Sequence, residues 1–219
     1  MLPVEHLTTD QKVRSSNLLG RAIFTPYMAD QPAATSVHSL GASVVVLQTE
    51  RLTLRPCSPD DCADFIALER DPEVMRFLNG GRPVDRAKSG PDSSFLMPDG
   101  TEPHLWTARR TADGAFVGWF CLWRDSATQA ELGYRLRRLD WGQGLATEGA
   151  AALVGWGFTS AGYDKIVSTT MTVNQGSRRV LEKIGFSYAR TVDFDWPDPF
   201  PGCEQGEVWY ELMRSDWNG

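Results

Sequence analysis

The sequence predicts a mixed α/β (α+β) domain built on a mostly antiparallel sheet flanked by helices. Three observations carry that expectation. Strand-like segments follow one another through short turns between residues 105 and 136, the hydrophobic period turns helical from Gly144, and strands and helices alternate from there to the end.

Residues 51–55, Arg-Leu-Thr-Leu-Arg, alternate polar and apolar as a half-buried strand does. Ser58-Pro59-Asp60-Asp61 follows as a helix start. Ser58 caps it, Pro59 has the φ of a first helical residue and no N–H to lose, and Asp61 stands where a capping box has Glu. Phe65, Ile66 and Leu68 give that helix its apolar stripe, and a second short helix, 72–78, is stopped by Asn79-Gly80-Gly81. Residues 82–102 contain Pro83, Gly90, Pro91, Pro98 and Gly100 and read as a long loop. A meander then runs through 105–109, a turn at Ala112-Asp113-Gly114, 116–123, a turn at Asp125-Ser126, and 128–136. A helix over 144–159, a strand over 165–170, a helix over 175–184 closed by Gly185, and strands near 186–194 and 208–213 complete the order βααβββαβαββ.

Composition narrows the partners. Apolar residues at 42% and aromatic residues at 11% of 219 are globular values, enough for one domain with an appended tail. No stretch reaches the roughly 18 uninterrupted apolar residues of a membrane helix, so no membrane partner is expected. A net charge of -6 speaks against a nucleic-acid partner, because phosphate binders gather Lys and Arg on one face. Cys57, Cys62, Cys121 and Cys203 show no CxxC spacing and no His at ligand spacing, so neither a metal site nor a disulfide framework is expected. Without a charged-then-apolar leader, a cytoplasmic location is the expectation. Residues 1–45 mix Thr8, Thr9, Ser15, Ser16, Pro32 and Thr35 without periodicity and are expected to form a poorly ordered N-terminal extension, with Met28 as an alternative start, to a domain over 46–219.

The most informative segment is 137–148, Arg-Arg-Leu-Asp-Trp-Gly-Gln-Gly-Leu-Ala-Thr-Glu, which leaves a strand, turns through two glycines and enters a helix. Gly142 and Gly144 let backbone N–H groups approach a phosphate with no side chain between, and the helix N-terminus adds about half a positive charge. A P-loop is excluded, because Leu145-Ala146 stands where Lys and Ser or Thr are needed. A dinucleotide turn lacks its third glycine, with Thr147 in that place and Asp164 before the next strand rather than after it. A purely structural helix entry stays open, since a strand-Gly-x-Gly-helix turn is by itself a weak signal.

Four segments in order make the chain resemble the GNAT acetyltransferases, in particular the RimJ/RimL-like type that acetylates ribosomal-protein N-termini. They are Gly118 on a strand after Asp113-Gly114, Glu131-Leu132-Gly133-Tyr134, Trp141 to Glu148, and Asn174-x-x-Ser177-x-Arg179-Val180-Leu181-Glu182-Lys183-Ile184-Gly185-Phe186. The likeness runs from about Thr49 to Trp217. Many members carry Gln or Arg three residues before the first glycine, where Leu139 stands here. The resemblance implies a GNAT fold, with the sheet splayed between strands four and five (128–136 and 165–170), and acetyl-CoA as co-substrate. Pantetheine would add itself to the exposed edge of the fourth strand at Tyr134, Arg135 and Leu136. Arg137, Arg138, Trp141, Gly142, Gln143, Gly144, Leu145, Ala146 and Thr147 would surround the phosphates. The acceptor implied is a primary amine, on a small molecule or a protein N-terminus, and the enzyme a monomer or homodimer. A non-catalytic acyl-CoA-binding or protein-interaction domain is the rival, against which Glu131, Asn174 and Ser177 speak.

Amide formation needs a base for the acceptor nitrogen and a proton for the departing thiolate. Glu131, near the start of the fourth strand, is the candidate base, and period two puts it with Gly133 and Arg135, opposite Leu132 and Tyr134. Glu207, before the last strand, is a second candidate. Asn174 caps the helix it opens, or else touches the cofactor, and the resemblance makes Ser177 the donor to the thiolate; Ser177 shares a face with Leu181 and Ile184. Residues 193–207 gather Asp193, Asp195, Trp196, Asp198, Phe200, Glu204 and Glu207, an acidic and aromatic loop suited to a cation, with Asp195, Trp196 and Asp198 as substrate contacts.

Overall fold

A computed structural model describes residues 4–6, 45–84, 104–193, 196 and 199–219. It is a mixed α/β fold with one nine-stranded sheet. The strands are β1 (Val4–His6), β2 (Leu47–Gln48), β3 (Leu52–Pro56), β4 (Leu105–Arg110), β5 (Phe116–Arg124), β6 (Gln129–Leu136), β7 (Lys165–Met171), β8 (Ser187–Asp193) and β9 (Glu207–Met213). Their order is β1-β8-β9-β7-β6-β5-β4-β3-β2. All pairings are antiparallel except β6 with β7 and β1 with β8. The helices are α1 (Cys62–Arg70), α2 (Pro72–Met75), α3 (Leu145–Thr159) and α4 (Gln175–Lys183).

The predicted meander is β4, β5 and β6. Strand β5, Phe-Val-Gly-Trp-Phe-Cys-Leu-Trp-Arg, reads as a nearly continuous apolar run because both its faces are covered. Trp119 and Cys121 face α1 and α2 with Phe65, Leu68 and Val74, whereas Phe120 and Leu122 face α3 with Leu153 and Phe158. Gly149 lets α3 approach the sheet: a Cβ there would stand 2.4 Å from the Phe120 ring.

One expected element differs in length. The helix expected over 72–78 ends at Met75, where the chain tightens into turns closed by the Leu78 N–H on the Met75 carbonyl and the Gly81 N–H on the Leu78 carbonyl, both at 2.8 Å, before Gly80 and Gly81 turn it left-handed with φ of 63° and 74°. Val4–His6, within the extension expected to be poorly ordered, pairs in parallel with β8, and β2 is too short to show an alternation. Most of the rest of that extension, and residues 85–103 of the long loop, lie outside the described residues. Among the described residues no helix is long and apolar enough to cross a membrane.

What places the site is the short ladder between β6 and β7. They pair in parallel only at Gln129↔Lys165, Ala130↔Ile166 and Glu131↔Val167. Beyond that point β6 stays with β5 and β7 with β9, so the sheet divides into two halves. Ser168 Oγ–H donates to the Leu132 carbonyl at 2.9 Å and closes the vertex.

Asp61 fastens one half. Its fully buried carboxylate accepts from both terminal nitrogens of Arg55 on β3 (2.9 and 2.7 Å), from Arg109 (2.9 Å) and Thr107 (2.8 Å) on β4, and from the Ser58 N–H (3.0 Å). Burial alone would raise its pKa, but these donors outweigh burial and hold the carboxyl below its ordinary range. The stability it supplies is therefore present above a pH of about 3.8 and is lost as pH falls through the lower folded value. Asp61→Asn is expected to cost about 2–3 kcal/mol near neutrality, the partly exposed arginines tempering the penalty. Urea titrations should show that difference shrinking in strong acid; a constant difference would show that the carboxylate's charge is not what matters.

Candidate active site

The parting strands open a cavity of about 470 Å³ that reaches both faces of the sheet. Glu131 is the last residue of β6 paired to β7, so its side chain stands at the vertex, on the face shared with Gly133, Arg135 and α1 as period two requires. The Thr169 hydroxyl donates to its Oε1 at 3.2 Å, and Glu207, buried on β9 opposite Met171, lines the same space. Burial pushes the Glu131 carboxyl up to about 8, the Glu207 and Asp125 charges push the same way, and the Thr169 hydrogen bond opposes them.

On the other face, the Tyr134 hydroxyl lies 2.9 Å from Ser177 Oγ. Asn174 does what a helix cap does: its Oδ1 accepts the Ser177 N–H at 3.2 Å, while its side-chain amide donates to Thr170 at 3.1 Å. Ser177 is thus held on β6 by a phenol and on β7 through Asn174. Burial raises the Tyr134 phenol, which stays protonated.

The glycine turn forms the far end. Asp140, 1% exposed, is gripped by Arg110 (2.8 Å) and Arg137 (2.9 Å), and the Trp141 indole N–H donates to the Leu136 carbonyl at 2.9 Å. Gly142 and Gly144 adopt φ of 72° and 81°, which only glycine reaches without strain. Gly144 caps α3 with no side-chain hydrogen bond, so the first-turn N–H groups face outward beside the cavity lined by Leu145, Ala146 and Thr147. Glu148 ties α3 to the start of β3 through the Arg51 N–H and Nε, both at 2.7 Å.

Other expected residues stand elsewhere. Arg135 turns into the α1 side, 3.5 Å from Glu69 and over Trp119, though it still borders the cavity. Arg137 is occupied by Asp140, Arg138 borders a separate groove beside Leu139, and the Gln143 amide donates to the Leu139 carbonyl at 2.8 Å. Trp196 lines the cavity with Phe200 and Phe77, while Asp195 and Asp198 lie outside the described residues. Thr169 and Phe77 were not singled out in the sequence, whereas Phe200 was named with the 193–207 loop. Only strand alternation hinted at Thr169, and nothing local pairs Phe77 with Phe200.

A strand edge freed at a vertex, an uncapped helix start behind two left-handed glycines, and an elongated cavity joining them fit an acyl-CoA. The edge offers amide partners to a pantetheine arm, the turn offers N–H groups to phosphates, and the volume falls in the usual range for ligand sites. Fold and site together define an acyltransferase.

The chain matches the Acetyltransferase (GNAT) domain model over residues 51–187. It belongs to the GNAT acetyltransferase family, and its acetyl donor is acetyl-CoA. It is 34% identical over 181 residues to the FsC-acetyl coenzyme A-N(2)-transacetylase of Aspergillus fumigatus, covering 78% of this chain and 77% of that protein. A GNAT acetyltransferase structure from Bacillus anthracis superposes with a TM-score of 0.66 at 21% identity, over 78% of this chain and 99% of that one. Spermidine N-acetyltransferase from Vibrio cholerae, in complex with CoA and spermine, superposes with a TM-score of 0.63 at 15% identity, over 78% of this chain and all of that one.

The raised carboxyl of Glu131 has a measurable sign. Its folded value of about 8 lies above the ordinary 4.5, so the stability tied to its protonated form is complete below 4.5 and is lost as pH rises through 8. Glu131→Gln, uncharged throughout, should match the parent protein near pH 4.5 and exceed it at pH 9 in urea midpoint. Glu207→Gln should move the parent's loss to lower pH. Parallel pH profiles for parent and Glu131→Gln would mean that the carboxyl ionises as freely as in water.

Proposed function

We propose that the chain acetylates the primary amine of a small molecule by direct attack on the donor, with Glu131 as base and Ser177 as proton donor to the leaving sulfur. The observation that carries this reading is the vertex: it sets Glu131 on one face and the Tyr134–Ser177 pair on the other, with one cavity between them. Bound acetyl-CoA supplies the activated thioester. Tyr134 and Leu136 would hold the pantetheine arm along the β6 edge, and the turn from Trp141 to Thr147 would hold the phosphates by backbone N–H groups.

Glu131 in its ionised form takes the ammonium proton, leaving the amine lone pair free for the carbonyl carbon. Its raised value places it near neutrality, where a base is both populated and strong enough to act. As the tetrahedral intermediate collapses the C–S bond breaks, Ser177 Oγ–H protonates the sulfur and regains a proton from the nitrogen that becomes the amide, and Tyr134 orients that hydroxyl. Cys121, the cysteine at the cavity wall, is buried and its thiol is pushed far up, which withholds it as a nucleophile and favours direct attack.

A small-molecule acceptor is supported by the fungal relative, whose name specifies transfer to an N(2) position, and by the aromatic wall of Phe77, Trp196 and Phe200 on the acceptor side. The RimJ/RimL-like resemblance would place a protein N-terminus in the same space. A thiol-release assay with acetyl-CoA against amines and peptides separates the two. Turnover with free amines and none with peptides is expected, and the reverse would reassign the acceptor.

Gly142→Asp projects its side chain into open space, so the turn survives with modest backbone strain while a carboxylate enters the phosphate site. Calorimetry should show acetyl-CoA affinity reduced at least about tenfold; unchanged affinity in the folded variant would remove the donor from this turn. Ser177→Ala and Glu131→Gln should each lower kcat by about 10²–10⁴ with little change in KM for acetyl-CoA. Full kcat in Ser177→Ala together with its loss in Tyr134→Phe would make the phenol the donor.

A further inference from the structure

The diphosphate of acetyl-CoA carries charge that backbone N–H groups answer only in part. Several arginines near the turn are committed elsewhere. Arg110 and Arg137 grip Asp140 at 2.8 and 2.9 Å, and Arg51 holds Glu148 at 2.7 Å and the Gln143 carbonyl at 2.8 Å. Arg135 points inward, its side chain 2% exposed against Glu69.

Arg76, which follows α2, is placed differently. Its guanidinium carbon lies 4.6 Å from the Phe77 ring centre and 5.7 Å from that of Trp141, and it lines the same cavity as Gly142 and Gly144. Its side chain is 49% exposed, and its ion pair with Glu73 is long at 3.6 Å and exposed on both sides. Contact with ring faces uses the flat side of a guanidinium and leaves its N–H edge for a planar pair of oxygens. The Trp141 indole is itself fixed by its bond to the Leu136 carbonyl, so the cation is held beside the turn by a rigid support.

We infer that Arg76 binds the diphosphate of acetyl-CoA, supplying from the end of α2 a charge beside the glycine turn. The inference rests on the reading that places the phosphates at the glycine turn. A fork of two N–H groups on phosphate oxygens gives a directional, charge-assisted contact that an ammonium reproduces only as a point charge. α2 thereby takes part in donor binding, although it stands on the acceptor side of the sheet.

The test compares Arg76→Gln and Arg76→Lys with the parent, using acetyl-CoA, 3′-dephospho-acetyl-CoA and S-acetylpantetheine as donors. Arg76→Gln should weaken acetyl-CoA and its 3′-dephospho form alike, by roughly tenfold or more. The loss should shrink as salt is raised, Arg76→Lys should recover part of it, and kcat/KM with S-acetylpantetheine, which has no phosphates, should not change. A loss confined to acetyl-CoA would put Arg76 on the 3′-phosphate, and an equal loss with S-acetylpantetheine would mean that α2 had merely shifted; either overturns the assignment. Unchanged acetyl-CoA affinity in Arg76→Gln beside a loss in Gly142→Asp overturns this inference alone, whereas no loss in either variant overturns the glycine-turn reading with it.

Discussion

The three-residue ladder between β6 and β7 is the constraint on which the rest of this structure depends. A sheet normally continues pairing, because each backbone group left without a partner away from water costs free energy. Here pairing stops after Glu131 and Val167 while both strands run on, each kept straight by a full-length antiparallel neighbour. The opening is therefore held by the two halves of the sheet rather than by the loops above it. Both arms present polar side chains to it: Tyr134 stands on β6, Thr169 and Thr170 on β7, and Glu131 at the junction.

Polar clusters around carboxylates, buried at Asp61 and Asp140 and half-buried at Glu148, brace that opening at a distance. Asp61 binds β3, β4 and the entry to α1, and Asp140 binds the glycine turn through Arg110 and Arg137. Glu148 binds the first turn of α3 to the start of β3. Each places an acid among several donors, the arrangement in which a buried charge is tolerated. Glu131 is the exception: its one hydrogen bond described here comes from Thr169, and Glu207 faces the same cavity, so its proton is held tightly. The contrast separates carboxylates that hold the frame from one whose surroundings make it easy to protonate.

The elements were legible in the sequence because each depends on local chemistry. Period-two runs, the Ser58-Pro59 helix start, the stop at Gly185 and the switch of period at Gly144 are written in neighbouring residues, and the strands and helices they foretold lie within a few residues of their expected bounds. The exceptions have other causes. A two-residue strand carries no period, and Val4–His6 becomes a strand only because the edge of β8 is there to receive it.

What the sequence alone determined was the family, from four motifs in order, and the glycine turn entering α3, since φ values of 72° and 81° demand glycine wherever the turn is placed. The tertiary structure decided which side chains meet. It paired Tyr134 with Ser177 across 43 positions of chain, drew Arg135 away to Glu69, gave Arg110 to Asp140, and brought Arg76 to the ring of Trp141. A residue's alternation fixes the face it occupies, but its partner comes from an element distant in sequence. Which partner that is depends on how far β6 and β7 have parted.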